Sequence, residues 1–188
     1  MRDHIRTFIA IKIHPNEKVL DLLQYLKKQF PADKINWVDT ENFHLTLRFL
    51  GNTTREQLYE LVDRLEEVVS RKKKCKLSLK GTGYFKSKNQ PRVLFVKIQA
   101  EEVLELLVQE IEKEVVSCSF EAEQKAYKPH LTLGRIKHVQ NTNRFFSLLD
   151  EMPSDIYQEI KVDGIILFQS ILKTTGPEYR PIKTFALQ

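Results

Sequence analysis

His44-Leu45-Thr46-Leu47 and His130-Leu131-Thr132-Leu133 are the same four residues, present once in each half of this 188-residue chain. Side chains alternate between the two faces of a β-strand, so each histidine shares a face with the threonine two residues later. The leucines then point to the opposite face, where a hydrophobic core would cover them. Each copy is therefore predicted to be a half-buried strand that presents one imidazole and one hydroxyl group.

A single His-x-Thr sequence arises by chance in many chains, and its histidine is usually a core or surface residue. The repetition of all four residues, each time inside a hydrophobic strand pattern, favours a functional pair. Two copies facing each other across a cleft would bring together two histidines and two hydroxyl donors. This set suits metal-free phosphoryl chemistry on RNA, because a neutral imidazole can accept a proton while a protonated one donates.

The sequence around the first copy predicts alternating strands and helices. A strand is expected over residues 7–13 and an amphipathic helix over about residues 17–30. The first motif strand should run from about Phe43 to Leu50 and end at Gly51-Asn52. Thr53-Thr54-Arg55-Glu56 matches the Thr-x-x-Glu capping box and predicts the start of a second helix.

The rest of the chain continues this alternation. Further strands are predicted for residues 76–80, 92–98, about 129–135, 161–171 and 179–187, and helices for about 103–111 and 142–149. Gly81-Thr82-Gly83 and Lys88-Asn89-Gln90-Pro91 are expected to separate strands. Several links look too short for parallel crossovers, so the predicted fold class is α+β with antiparallel sheets and flanking helices.

The domain organisation follows from the duplication and from the absence of a linker sequence. One motif copy per half favours two lobes of roughly 90 residues each. No Gly/Ser-rich or Pro-rich linker interrupts the sequence, so residues 1–188 are expected to form a single compact domain made of these two lobes.

Charge and composition indicate which kind of partner and which cellular compartment to expect. The formal net charge of +5 favours a polyanionic partner without identifying it. The densest basic run, Arg71-Lys72-Lys73-Lys74-Cys75-Lys76, is either a solvated helix end, which we favour, or an RNA contact. No apolar run reaches membrane-spanning length, and Cys75 and Cys118 lack metal or redox spacing. A monomer in the cytoplasm, with no membrane association, is expected.

The same residues give no reason to expect a cofactor. The repeated motif brings no consistent carboxylate or cysteine at ligand spacing, so a metal site is not predicted. A glycine-rich phosphate loop with its lysine is also missing from the sequence, so ATP is not implied.

The motifs and their flanks resemble the two-histidine phosphoesterase superfamily, and within it the RNA 2′,3′-cyclic phosphodiesterases, historically called 2′-5′ RNA ligases. The resemblance extends over nearly the whole chain. It rests on Arg6-Thr7-Phe8-Ile9-Ala10-Ile11, Trp37, the stretch from Phe43 to Gly51, Pro91-Arg92-Val93-Leu94-Phe95-Val96, the stretch from Lys128 to Arg135, Leu167-Phe168-Gln169-Ser170 and Tyr179. Gly134 stands where alanine is common in the family.

The resemblance implies a bilobal, pseudo-two-fold α+β fold in which a histidine strand from each lobe lines a central cleft. It implies metal-independent opening of an RNA terminal 2′,3′-cyclic phosphate to a 2′-phosphate, with reversible 2′-5′ RNA joining. RNA that carries a 2′,3′-cyclic phosphate or a 2′-5′ linkage is the expected partner. By resemblance His44 is assigned as the general acid and His130 as the general base, and Thr46 and Thr132 as hydrogen-bond donors to the phosphate.

Three further residues are candidates for substrate binding. Arg135 is a phosphate ligand by resemblance, but strict alternation from His130 puts it on the opposite face, so a strand end or a twist at Gly134 must bring it back. Arg48 shares parity with His44 and is a second phosphate candidate. Phe8 either stacks on the terminal base or belongs to the core.

Two alternatives to RNA hydrolysis stay open at this point. A sister enzyme of the superfamily would act on a small cyclic nucleotide or on ADP-ribose cyclic phosphate. A protein of another class would bind RNA ends without chemistry, although a pure binder would not need both histidines and both threonines.

Overall fold

The computed structural model describes residues 4–174 and 176–188. Within this part of the chain there are four α-helices, nine strands and one short 3₁₀ turn at Thr40–Asn42. The strands are β1 (Ile5–Lys12), β2 (Lys34–Trp37), β3 (His44–Thr53), β4 (Cys75–Ser87), β5 (Gln90–Ala100), β6 (His130–His138), β7 (Ile156–Val162), β8 (Gly164–Lys173) and β9 (Gly176–Ala186). The helices are α1 (Glu17–Gln29), α2 (Arg55–Val69), α3 (Glu102–Ser117) and α4 (Thr142–Asp150).

The strands form one curled sheet in the order β7-β4-β5-β6-β3-β1-β8-β9, and β2 pairs with the second half of β6. Every pairing of the described strands is antiparallel, which confirms the predicted α+β class. The order is symmetric about the junction between β3 and β6. We call β3, β1, β8 and β9 the first lobe, and β6, β5, β4 and β7 with β2 the second lobe.

The two lobes exchange strands. β4 follows α2 in the first half of the chain, yet it pairs with β5 and β7 of the second lobe. β8 belongs to the second half of the chain and pairs with β1 of the first lobe. The bilobal, pseudo-two-fold arrangement is therefore confirmed. Each lobe contains two strands from the other half of the sequence, β8 and β9 in the first lobe and β2 and β4 in the second.

The main core lies between one face of the sheet and the helices. Leu45, Leu47, Leu131 and Leu133 are all at most 4% exposed and belong to this core, as the strand alternation predicts. The helices contribute apolar stripes to it, among them Val19, Leu22, Leu23 and Leu26 of α1 and Leu61, Leu65 and Val69 of α2. The opposite face of the sheet carries His44 and His130.

The last predicted strands and the glycine-rich break differ from the structure. Residues 161–171 are not one strand, because Asp163 separates β7 from β8 and its carbonyl accepts from the amide of Leu187. Gly81-Thr82-Gly83 lies within β4, where a register shift between Leu79 and Thr82 accommodates one extra residue. Glycine at position 81 allows this because its φ is +66°.

The predicted capping box is one residue out of register. Thr54 caps α2 by accepting from the amide of Gln57, whose side chain accepts in return from the amide of Thr54. The hydroxyl of Thr53 is instead 2.6 Å from that of Thr7 in a buried pair that links β3 to β1.

Candidate active site

The two motif strands meet at Leu45 and Leu131, which are antiparallel partners. Antiparallel pairing about these leucines puts His44 opposite Thr132 and Thr46 opposite His130. All four polar side chains are half-buried on the face of the sheet that the helices leave free. The structure thus brings together the four residues that the sequence pattern singles out.

Both imidazoles are held by the same local hydrogen bond. Nδ1 of His44 is 2.6 Å from the carbonyl oxygen of Asn42, and Nδ1 of His130 is 2.7 Å from that of Lys128. A carbonyl oxygen only accepts, so Nδ1 carries the hydrogen in each neutral ring and Nε2 keeps its lone pair. Each histidine therefore presents Nε2 for proton transfer.

Burial lowers the pKa of both histidines below the ordinary value of 6.5. Removal from water disfavours the imidazolium and is the largest cause in each case. The hydrogen bonds to Asn42 and Lys128 act in the opposite sense, while the positive charge of Arg135 lowers the pKa of both rings further. Without a bound anion, neither histidine is favoured in its charged form at neutral pH.

Aromatic rings pack against each histidine and restrict its orientation. The ring of His44 lies 5.1 Å from that of Phe8 and 5.2 Å, edge-on, from that of Tyr179. The ring of His130 lies 4.9 Å from that of Phe85 and 5.2 Å from that of Phe95. These contacts also account for the desolvation of the imidazoles.

A β-bulge follows the motif in β3. Ala10 pairs with Thr46, but the next partner of β1, Ile9, pairs with Arg48 and Phe8 with Phe49. The extra residue shifts the alternation by one position, so Phe49 returns to the face of His44. Its ring lies 6.0 Å from that of Phe8 on this face.

The same bulge occurs in β6. Phe95 pairs with Thr132, whereas Leu94 pairs with Gly134 and Val93 with Arg135. The extra residue brings Arg135 onto the face of His130, which resolves the parity conflict in the sequence. A side chain at Gly134 would be crowded, because a Cβ atom there would lie 2.7 Å from Ile35 of β2.

Arg48 does not lie on the face of the sheet that strict alternation predicts. The bulge turns it to the face of Ile9, opposite His44, so the parity that made it a phosphate candidate is wrong. Its guanidinium donates from Nε to Glu112 of α3 at 2.5 Å and to the carbonyls of Phe49 and Glu121. Arg48 thus holds the segment between α3 and β6 against β3.

Phe8 is a core residue rather than a free platform for a base. It is 2% exposed and stacks on Phe168 with 5.2 Å between ring centroids and 18° between ring planes. Tyr179 contacts it edge-on at 4.9 Å. Of the two readings of Phe8 that the sequence allows, the structure favours the core.

Tyr179 and Phe49 receive no role from the sequence pattern. Tyr179 lies on β9, far from the motifs in sequence, and only the curled sheet brings its ring within 5.2 Å of that of His44. Phe49 receives no role because strict alternation turns it away from His44. The pattern of apolar and polar residues carries no signal for either the strand exchange or the bulge.

Among the described residues, no helix has both the length and the apolar character needed to cross a lipid bilayer. Nor do three or more of their His, Cys, Asp or Glu side chains come together in a group that could hold a metal ion.

Comparison with known proteins agrees with the geometry. Residues 11–95 and 96–179 each match the family described as LigT like Phosphoesterase. The RNA 2′,3′-cyclic phosphodiesterase of Thermotoga maritima is 32% identical over 179 residues, which cover 94% of this chain and 92% of the relative. That of Methanocaldococcus jannaschii is 30% identical over 95% of this chain and 99% of its own.

Solved structures show the same fold. The protein TT0787 of Thermus thermophilus superposes with a TM-score of 0.77 at 28% identity, over 97% of this chain and 98% of its own. Escherichia coli LigT complexed with 3′-AMP has a TM-score of 0.78 at 22% identity, over 99% of both chains. With its duplicated histidine strands and two matched repeats, the chain belongs to the LigT-like phosphoesterase family.

Proposed function

We propose that this protein is an RNA 2′,3′-cyclic phosphodiesterase, which opens a terminal 2′,3′-cyclic phosphate to a 2′-phosphate. The observation that carries the proposal is the pair of imidazoles, each with Nδ1 bound to a carbonyl and Nε2 available. Relatives that match along nearly the whole chain bear this activity in their names. The basic net charge suits an RNA substrate.

The chemistry assigns a role to each side chain. His130 takes a proton from water through Nε2 while the water oxygen attacks phosphorus. The bond from phosphorus to O3′ breaks, and His44 gives the proton on its Nε2 to the departing oxygen. Thr46, Thr132 and Arg135 donate hydrogen bonds to the non-bridging oxygens, where negative charge grows. A 5′-hydroxyl in place of water would form a 2′-5′ linkage by the same steps.

Binding of the anionic substrate favours protonation of the general acid. In the free protein burial holds the pKa of both histidines below 6.5, so a charged general acid is disfavoured. A cyclic phosphate carries one negative charge, and bound between the strands it would favour an imidazolium beside it. Binding the anion therefore raises the fraction of molecules in which one histidine is charged.

The decisive assay uses an oligonucleotide that ends in a 2′,3′-cyclic phosphate, incubated with the protein in EDTA. The expected product carries a 2′-phosphate, and H44A and H130A should each lose roughly 10²- to 10⁴-fold in rate. Loss of activity on chelation, with recovery on adding a divalent ion, would rule out the metal-free mechanism. A 3′-phosphate product would rule out the assigned leaving group.

The same assay separates the alternatives. Faster turnover of a mononucleoside 2′,3′-cyclic phosphate or of ADP-ribose cyclic phosphate than of the oligonucleotide would identify a small-molecule enzyme. Tight binding of the oligonucleotide without turnover would identify an RNA-end-binding protein.

The proposal also includes a single domain over residues 1–188 that acts as a monomer in the cytoplasm. The exchange of β4 and β8 between the lobes supports one folding unit. Cys75 and Cys118 are buried free thiols, which suits a reducing compartment. Light scattering during size-exclusion chromatography tests the monomer, because a mass near twice 22.1 kDa would contradict it.

A further inference from the structure

Phe49 is a large apolar side chain that the fold leaves in solvent. Its residue is 57% exposed, whereas Phe8, its partner across the strand pair, is 2% exposed. The β3 bulge turns the Phe49 ring toward the face that carries His44 and Thr46. Single exposed apolar residues are common on protein surfaces. An aromatic ring exposed beside a polar site, however, is available to a ligand.

The backbone under this ring is firmly held. The guanidinium of Arg48 donates to the carbonyl oxygen of Phe49 and binds Glu112 on the opposite face of the sheet. On the site face, the ring of Phe49 borders Phe8, which itself stacks on Phe168. A ring fixed at its base and open at its face is pre-organised for stacking.

Phe49 and Arg135 occupy equivalent positions of the two motif strands, but one is aromatic and the other is cationic. Each is the fifth residue after the histidine of its motif and follows the same bulge. Because β3 and β6 are antiparallel, the two side chains extend from the junction in opposite directions. One end of the site is therefore aromatic and the other is cationic.

We propose that Phe49 is the stacking platform for the base of the terminal nucleoside and that, with Arg135, it fixes the direction in which the RNA end lies in the site. The proposal rests on the proposed function, in which Thr46 and Thr132 hold the cyclic phosphate. Phe49 lies three residues beyond Thr46, roughly 10 Å along a strand, which is about the span of one nucleoside.

Stacking predicts tolerance of base identity. Every base offers a π face, and stacking on an aromatic side chain does not read its edges. The platform would therefore bind purine and pyrimidine ends alike, with purines somewhat favoured by their larger rings.

The experiment measures kcat/KM for two oligonucleotides that both end in a 2′,3′-cyclic phosphate, one with a normal terminal base and one with an abasic terminal ribose. The variants are F49A, F49L and F49W, with Tyr59→Ala as a matched control because Tyr59 is a 71% exposed aromatic on α2. F49A and F49L should lose roughly 5- to 150-fold on the normal substrate, and F49W should stay near wild type. On the abasic substrate all variants should match the wild type.

The remaining outcomes of this experiment would contradict the stacking platform. Equal losses by F49A on both substrates, or no loss on either, would overturn the platform while leaving hydrolysis by the wild type intact. A loss with F49A that F49L restores would assign Phe49 to apolar packing instead of stacking. If the wild type turns over neither substrate, the proposed function fails first, and the platform fails with it.

Discussion

Leu45 and Leu131 are direct cross-strand partners at the junction of the two lobes, and they are only 1% and 0% exposed. Each leucine lies between the histidine and the threonine of its own motif. One buried apolar pair therefore fixes the spacing of four polar groups on the other face of the sheet. The site depends on the core beneath it for its geometry.

Leu131→Ala should lower both stability and turnover. Removing a fully buried leucine costs about 2–5 kcal/mol of unfolding free energy, and strand pairing at the junction should loosen. Leu61→Ala in α2 is the control, since Leu61 is also 0% exposed but lies away from the site. Urea denaturation should show similar losses for both variants, while kcat of the folded protein should fall for Leu131→Ala alone.

The pH profile of kcat/KM should be a bell whose limbs both lie at lower pH than ordinary histidines give. The profile reports the free enzyme, in which burial lowers the pKa of His44 and His130 below 6.5. The profile of kcat reports the complex, and the bound phosphate should displace it to higher pH. Arg135→Gln removes a positive charge near both rings, so its kcat/KM profile should also move to higher pH. Profiles that coincide in all three cases would contradict this electrostatic account.

Thr46→Ala and Thr132→Ala should each slow the reaction on the order of 10²-fold without unfolding the protein. The hydroxyls are half-buried on the site face, so their loss leaves no hole in the main core. Thr184→Ala on β9 is the control, because Thr184 is an exposed strand threonine. Initial rates and thermal melts are to be compared, and a folded double mutant with wild-type rates would remove both hydroxyls from the mechanism.

Arg48 and Arg135 should respond to mutation in opposite ways. Arg48→Ala leaves Glu112 without its partner and frees the segment before β6, so stability should fall by about 1.5–3 kcal/mol. Arg135 is exposed, so Arg135→Ala should change stability by at most about 0.5 kcal/mol but lower kcat/KM strongly. Denaturation midpoints and kinetics of the two variants test this, and a stable Arg48→Ala variant with impaired phosphate binding would reverse the assignment.

The order of acid and base is open to a leaving-group test. A substrate whose departing oxygen belongs to a good leaving group needs little protonation, so it should restore rate to H44A much more than to H130A. Equal rescue of both variants, or rescue of H130A alone, would contradict the assigned order.

Strict alternation predicts the face of each side chain as far as the bulges and fails beyond them. Leu45 and Leu131 lie in the core, as a period of two predicts, because both positions precede the bulges. Beyond the bulges the parity reverses, so strict alternation places Arg48 wrongly and can place Arg135 only with the help of an assumed twist. A bulge depends on how neighbouring strands pair, and no local propensity encodes it.

Short or continuous patterns account for the other differences. β2 has four residues and one buried side chain, Ile35, which is too little periodicity to mark a strand. Asp163 interrupts an apolar run by only one residue, so β7 and β8 look continuous in the sequence. The role of Phe8 depends on Phe168 and Tyr179, which are more than 150 residues away in the chain, so only the folded sheet could decide it.

The exchange of β4 and β8 bears on how such a chain could have arisen. A polypeptide of half this length would carry one histidine strand and would pair its following strand with a neighbouring chain, as β4 pairs with β5 and β7 here. It could therefore complete the site only as a homodimer with two identical motifs. In that dimer, symmetry would force the same residue into both positions after the bulge. In a single chain that carries both copies the two positions are independent, so phenylalanine can stand at position 49 and arginine at position 135.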